Sequence, residues 1–214
     1  MRQSGHSGLV SRPSPSETAT VDRRYSCPEV GGDDPLKRSC IMIATRLNMD
    51  SLTEGQVAAL RQRFPYQLPS EWVGRLAASD GWQAANLQFL EAERKRSTAA
   101  MRHLMDELGI DRVESREEAL DLMELAFRVF TSSGDFTGTI DRAPDGVLRV
   151  EVQRCPVYQA LEDADWRTVT ACPSWYRRRG WLDALGVNAT DSLLGEKKWG
   201  DVACVSEIQI QQVA

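Results

Sequence analysis

The chain has 214 residues, a formal net charge of −5 at pH 7, 42% hydrophobic residues and 27% charged residues. This composition is ordinary for a soluble globular protein, and the length suits one domain with an extension. The mildly acidic balance gives no reason to expect nucleic acid or an anionic membrane as a partner. Five cysteines are too few for a disulfide scaffold, and two histidines leave little room for a histidine-rich metal site.

Residues 1–50 are predicted to form an extension that is disordered or loosely docked. They carry clusters of Gly, Ser, Pro and Asp without periodicity, so they bury too little apolar surface to offset their ordering entropy. The apolar run Ile41–Ala44 is a candidate docking segment, and residues 51–214 are predicted to be a single α+β domain. Because the sequence shows neither a secretory signal nor a membrane span, we expect a cytoplasmic protein with reduced thiols.

The chain between residues 51 and 132 is predicted to be helical. The expected helices run from near Ser51 to Pro65, for a short stretch after Pro69-Ser70, from about Trp82 to Leu108, and from Ser115 to about Phe130. Thr53 is a plausible cap, and Ser115 with Glu118 forms a capping-box pattern. Gly109 predicts the stop of the long helix, whose charged middle at 91–96 is expected to be a solvated face.

After Gly134 the hydrophobic period changes from helical to alternating. Alternation on both sides of Asp145-Gly146 predicts an antiparallel hairpin, and residues 202–210 predict a terminal strand. Short helices are predicted at Pro156–Ala164 and Pro173–Leu185. The fold class is therefore α+β, with N-terminal helices packed on a small antiparallel sheet.

Three cysteines lie in the predicted domain, at Cys155, Cys172 and Cys204. Cys155 and Cys172 each precede a proline at a predicted helix start, where unpaired amides and the helix dipole lower the pKa of a thiol. Three interpretations stay open: small buried hydrophobes, a catalytic thiolate, or a three-cysteine metal site. Because the spacing contains no CxxC pair, we assign no metal ligand and no cofactor.

Other side chains are candidates for proton transfer or ligand contact. His103, the only histidine in the predicted domain, is either a general base or an ordinary helix residue. Asp80 is either a helix cap or a site carboxylate. The basic run Arg177–Arg179 is either a solvated helix face or an anion site. The candidate substrate-binding residues, which could equally fill the core, are Trp82, Tyr158, Trp175, Tyr176, Arg177 and Trp181.

Several short motifs form a recognisable pattern between about Ala78 and Ile210. They are Asp80-Gly81, Met105 with Leu108-Gly109-Ile110, Arg154-Cys155-Pro156 with Gln159-Ala160, Ala171-Cys172, and Asp201-Val202-Ala203-Cys204 with Glu207-Ile208. This pattern resembles small bacterial proteins related to the L-2-amino-thiazoline-4-carboxylic acid hydrolases. It departs from them in having Tyr176 where a second cysteine often follows Cys172, and Ser79 where a histidine often precedes the Asp-Gly pair. Both departures disfavour a metal.

The resemblance implies a cysteine-assisted attack on a C=N carbon and an α+β fold similar to the 4-vinyl reductase type of small-ligand domain. We therefore expect a small-molecule enzyme of secondary metabolism that hydrolyses or cyclises at a carbonyl, amide or imine-like carbon. Cys155, Cys172 or Cys204 would supply the thiol, and Asp80 or His103 would move the proton. The alternative is a non-catalytic small-ligand-binding or sensory module. The expected partner is a small molecule, without nucleic acid or membrane, and a homodimer is left open.

Overall fold

The computed structural model describes residues 47–65, 78, 81–131, 136–163 and 171–213. Within them, the helices are α1 (Glu54–Arg63), α2 (Trp82–Glu107), α3 (Arg116–Thr131), α4 (Pro156–Asp163) and α5 (Pro173–Leu185). The strands are β1 (Thr137–Arg142), β2 (Leu148–Arg154), β3 (Val187–Gly195) and β4 (Cys204–Val213), and short 3-10 turns lie at Met49–Ser51 and Lys197–Trp199. In these residues, no helix combines the length and the apolar character that crossing a bilayer requires.

The strands form one antiparallel sheet in the order β1-β2-β4-β3, so the predicted α+β class is confirmed. The hairpin around Asp145-Gly146 and the terminal strand β4 were both predicted. Strand β3 was not, because its inward-facing positions include the charged Asp191, which breaks the apolar alternation that identifies a half-buried strand.

Helix α3 lies at the centre of the core and is buried over most of its surface. Its buried apolar residues pack with those of α1, α2, α5 and the inner face of the sheet. The predicted caps hold it in place: Ser115 Oγ accepts the Glu118 amide at 3.1 Å, while the Glu118 carboxylate accepts the Glu114 amide at 2.8 Å. Thr53 likewise caps α1, as predicted.

The middle of α2 is only in part the solvated face that its charges predicted, because Lys95 is exposed and Glu93 is buried. Glu93 is only 4% exposed, because α5 packs across this part of the helix. Its carboxylate pairs with Arg177 of α5 at 2.7 Å and with Arg96 at 2.5 Å. The sequence placed Glu93 on the surface because its partner Arg177 lies 84 positions away in the chain.

The last residues of the predicted extension, 47–50, contact the core. Leu47 and Met49 pack against the core, and the Leu47 amide donates to Asp121 Oδ2 at 3.1 Å. Residues 1–46, including Ile41–Ala44, lie outside the described residues, as does the short helix predicted after Pro69-Ser70.

The crossing of α2 and α5 predicts opposite effects for two glycine substitutions. A Cβ at Gly180 would clash with the Arg94 carbonyl oxygen and would lie 2.9 Å from Ser97 Cβ, whereas a Cβ at Gly55 in α1 would meet nothing closer than 4.0 Å. We expect Gly180→Ala to lower the free energy of unfolding by about 1–3 kcal/mol through overpacking. Gly55→Ala should leave it unchanged or raise it by up to about 1 kcal/mol, because alanine is the better helix former. Urea unfolding followed by circular dichroism measures both; equal effects would contradict the tight crossing.

Candidate functional site

A cavity of about 50 Å³ lies between the inner face of the sheet and the N-terminal turns of α4 and α5. Its floor is formed by two cross-strand pairs, Val150 of β2 with Ser206 of β4 and Val152 of β2 with Cys204 of β4. The strand register places these side chains on one face, because residues two apart along a strand point to the same side.

All three cysteines of the domain line this cavity. Cys155 lies between the end of β2 and the start of α4, Cys172 is the N-cap of α5, and Cys204 begins β4. None of the three is part of a disulfide. The fold therefore brings together three cysteines that the sequence distributes over three separate elements.

Burial makes two of these thiols weaker acids than usual. It raises the pKa of Cys204 to about 11, although the Lys197 amide donates to its Sγ at 3.5 Å and opposes the shift. Burial also raises the pKa of Cys172, against the lowering effects of the Arg178 charge and the Trp175 amide. The expectation that a helix start would lower the pKa of Cys172 is thus wrong, because the cost of desolvating the thiolate exceeds what the helix start supplies.

The charged side chains that line the cavity are paired with opposite charges. The Arg178 guanidinium donates to the two carboxylate oxygens of Asp191 at 2.9 and 3.1 Å, and its Nη2 also donates to Ser206 Oγ at 2.8 Å. Lys198 pairs with Glu196 at 3.0 Å. Each cation faces a carboxylate, so these two pairs together add no net charge to the wall.

The connection between β3 and β4 closes one side of the cavity, and Lys197 anchors it. Lys197 Nζ donates to the Gln153 carbonyl oxygen at 2.8 Å and lies 5.3 Å from the centre of the Tyr158 ring. The Tyr158 hydroxyl donates to the Lys197 carbonyl oxygen at 3.5 Å. Tyr158, one of the predicted substrate-binding residues, thus lines the cavity and also connects α4 to this segment.

The remaining predicted substrate-binding residues of α5 are held by other contacts and do not line the cavity. Trp175 donates its indole N–H to the Asp191 carbonyl oxygen at 3.1 Å, and its ring packs edge-on against Tyr176 at 5.1 Å. Trp181 is 1% exposed in the core beside Phe130. Arg177 is neither solvated nor facing the cavity, because it pairs with buried Glu93.

Of the two candidates for proton transfer, only His103 is among the described residues, and it does not line the cavity. His103 lies on α2 in a separate surface groove with Lys95, Arg102 and Asp106, and its ring contacts Phe64 at 5.4 Å. Asp80 and the side chain of Trp82 lie outside the described residues. Within the part of the chain that the structure describes, no three His, Cys, Asp or Glu side chains are grouped as around a metal ion.

Sequence reasoning missed Ser206 and Asp191 and gave Arg178 no role of its own. Ser206 carries a readable signal, since it interrupts the apolar inner face of β4 between Cys204 and Ile208. A lone serine at a buried strand position needs a hydrogen-bond partner, and this indicates a polar contact inside the fold.

No protein-family model matches the chain, and no curated protein matches it significantly. The solved structures that are similar to it include a trafficking protein particle complex subunit 3 from Naegleria fowleri covalently bound to palmitic acid. That chain is 12% identical, and the match covers 74% of this chain and 96% of that one, with a TM-score of 0.43. An H-NOX protein from S. oneidensis in the Fe(II)NO state is 9% identical. That match covers 74% of this chain and 89% of that one, with a TM-score of 0.39. An H-NOX domain from Shewanella oneidensis in the Fe(II)CO state is 10% identical. That match covers 72% of this chain and 87% of that one, with a TM-score of 0.41. Similarities this low say nothing about what this chain binds.

The raised pKa of Cys204 predicts how its alkylation depends on pH. In the folded protein we expect the iodoacetamide rate at Cys204 to rise about tenfold per pH unit from pH 7 to pH 10. In urea it should level off above about pH 9, near the ordinary cysteine pKa. Mass spectrometry of the Cys204 peptide gives both rates. A plateau below pH 8 in the folded protein would contradict the assigned protonation state.

The free energy of unfolding should also fall between about pH 9 and about 11, because the unfolded thiol ionises first.

Proposed function

We propose that this protein binds a small, neutral, mainly apolar molecule in the thiol-lined cavity, without reacting with it. The observation that carries the proposal is the composition of the wall, which combines the protonated thiols of Cys172 and Cys204, valine side chains and internally matched ion pairs. This is the alternative that the sequence left beside a thiol-dependent enzyme.

The size of the cavity supports a small ligand. Its volume of about 50 Å³ is far below the roughly 300–1,000 Å³ of pockets that enclose drug-sized molecules. Leu193 lines the cavity and is 38% exposed, so it marks a side open to solvent. A ligand of a few non-hydrogen atoms, or one that leaves part of itself outside beside Leu193, fits this space.

The electrostatics support a neutral ligand. Arg178 is committed to Asp191 and Ser206, and Lys198 to Glu196. A charged ligand would lose its hydration without gaining a counter-charge that is not already paired, which is strongly unfavourable in a buried site.

The chemistry of the thiols supports binding over catalysis. A nucleophilic cysteine acts as a thiolate and needs a neighbouring base or cation to form it. Burial raises the pKa of Cys172 and Cys204, so both are protonated thiols at neutral pH. As neutral groups they are polarisable apolar contacts, which suit an uncharged ligand.

The proposal predicts a contrast between two neighbouring leucines of β3. Leu193 lines the cavity, whereas Leu194 is 57% exposed and is not among the described residues that line it. Leu193→Trp should fill the open side and weaken ligand binding at least about tenfold. Leu194→Trp should leave it unchanged, because Leu194 is exposed and is not among the described residues that line the cavity.

The measurement is a methyl NMR titration with a panel of neutral molecules of about four to eight non-hydrogen atoms. Saturable shifts at Val150 and Val152 that Leu193→Trp abolishes and Leu194→Trp preserves support the proposal. Absence of any saturating member, or equal effects of both variants, would refute it.

A thiol-dependent enzyme is the second candidate, and the convergence of Cys155, Cys172 and Cys204 on one cavity is the observation that favours it. Its test is incubation with L-2-amino-thiazoline-4-carboxylate, the substrate class that the sequence resemblance implies, followed by mass spectrometry of the ring-opened product. Turnover lost in a single Cys→Ala variant would replace the binding proposal by this one. Unchanged substrate after prolonged incubation is the result we expect.

A further inference from the structure

We infer that Ser206 is the polar anchor of the cavity and that the ligand carries a neutral hydrogen-bond acceptor, such as a ketone, ester or ether oxygen, on an otherwise apolar body. This inference rests on the proposed function and narrows it to a class of ligand.

Ser206 occupies a position where an apolar residue would be expected. It lies on the inner face of β4, is 3% exposed, and is flanked across the sheet by Val150 on β2 and Leu193 on β3. All three side chains line the cavity. Its hydroxyl is therefore a polar group in the middle of an apolar floor.

The hydrogen bonds of Ser206 leave its donor hydrogen available. A serine hydroxyl donates one hydrogen bond and can accept two. Here Oγ accepts from Arg178 Nη2 at 2.8 Å, and among the described residues no acceptor receives the hydroxyl hydrogen. A buried donor without an acceptor is unfavourable, so a ligand atom or a water molecule that accepts from Ser206 is stabilised in the cavity.

Arg178 makes this hydroxyl a better donor. The guanidinium is positively charged, cannot accept a hydrogen bond, and is fixed in orientation by Asp191. Donation from a cation into Oγ polarises the O–H bond, since hydrogen bonds in a chain strengthen one another. Ser206 should thus select acceptors over donors.

Neighbouring groups compete poorly for the same role. The Tyr158 hydroxyl already donates to the Lys197 carbonyl oxygen, and a thiol such as Cys204 is a weak donor. A ligand acceptor placed over the β2–β4 floor therefore gains more from Ser206 than from Tyr158 or Cys204.

The experiment compares cyclopentanone with methylenecyclopentane, which replaces the carbonyl oxygen by a CH2 group of similar size. Dissociation constants for both are measured by methyl NMR titration at Val150 and Val152, in the unmodified protein and in Ser206→Ala. We expect Ser206→Ala to weaken the ketone about tenfold and to leave the alkene unchanged. Ser206→Thr retains the hydroxyl and should retain the preference, and Ser192→Ala, on an exposed position of β3, should change neither constant.

The outcomes separate this inference from the proposed function. If both probes bind and Ser206→Ala weakens them by the same factor, the serine is structural and the inference is overturned while the binding function stands. Equal weakening by Ser206→Ala and Ser206→Thr overturns it as well. If neither probe binds saturably but a neutral panel member without an acceptor atom does, the inference is overturned while the binding function stands. If no panel member binds, the binding function itself fails.

Discussion

The buried guanidinium of Arg178 is the contact on which the cavity depends. Its side chain is 5% exposed and that of Asp191 is 0% exposed, so neither charge has water as an alternative partner. A buried pair of this kind is tolerated only when its hydrogen bonds are made, and here two link α5 to β3 and a third reaches Ser206 on β4. The guanidinium therefore fixes the distance between α5 and the sheet. Cys172, the N-cap of α5, lines the cavity that lies between them.

Arg177 and Arg178 clamp α5 between the two layers of the fold. Consecutive residues on a helix point about 100° apart, so the first arginine reaches Glu93 on α2 while the second reaches Asp191 on β3. Gly180 lets the backbone of α5 approach α2 closely enough for the first pair to form. The position of the cavity thus follows from an ion pair on each side of one helix and a close backbone contact between them.

Local signals in the sequence predicted most of the elements, because they act within a few residues. The Thr53 cap, the Asp145-Gly146 turn and proline at the start of α5 each appear as predicted. Partners distant in sequence could not be read in the same way: the run Arg177–Arg179 looks solvated until Glu93 and Asp191 are placed beside it. The cysteines were identified as a group, but the aromatic residues of α5 were assigned to the site only because they are close in sequence. Trp181 instead fills the core, where a large ring buries the most apolar surface.

The protonation of the thiols follows from the same packing that creates the cavity. A helix start and the Arg178 charge both favour a thiolate at Cys172, yet desolvation outweighs them and raises its pKa. The Arg178 charge is the largest influence that opposes this shift, and the same guanidinium is hydrogen-bonded to the Asp191 carboxylate. In a catalytic arrangement we would expect a cation directed at one sulfur atom. Here the Arg178 guanidinium donates to the Asp191 carboxylate instead. The buried thiols of Cys172 and Cys204, the valine side chains and the Ser206 hydroxyl thus support our proposal that the cavity recognises a neutral hydrogen-bond acceptor and does not attack a carbonyl carbon.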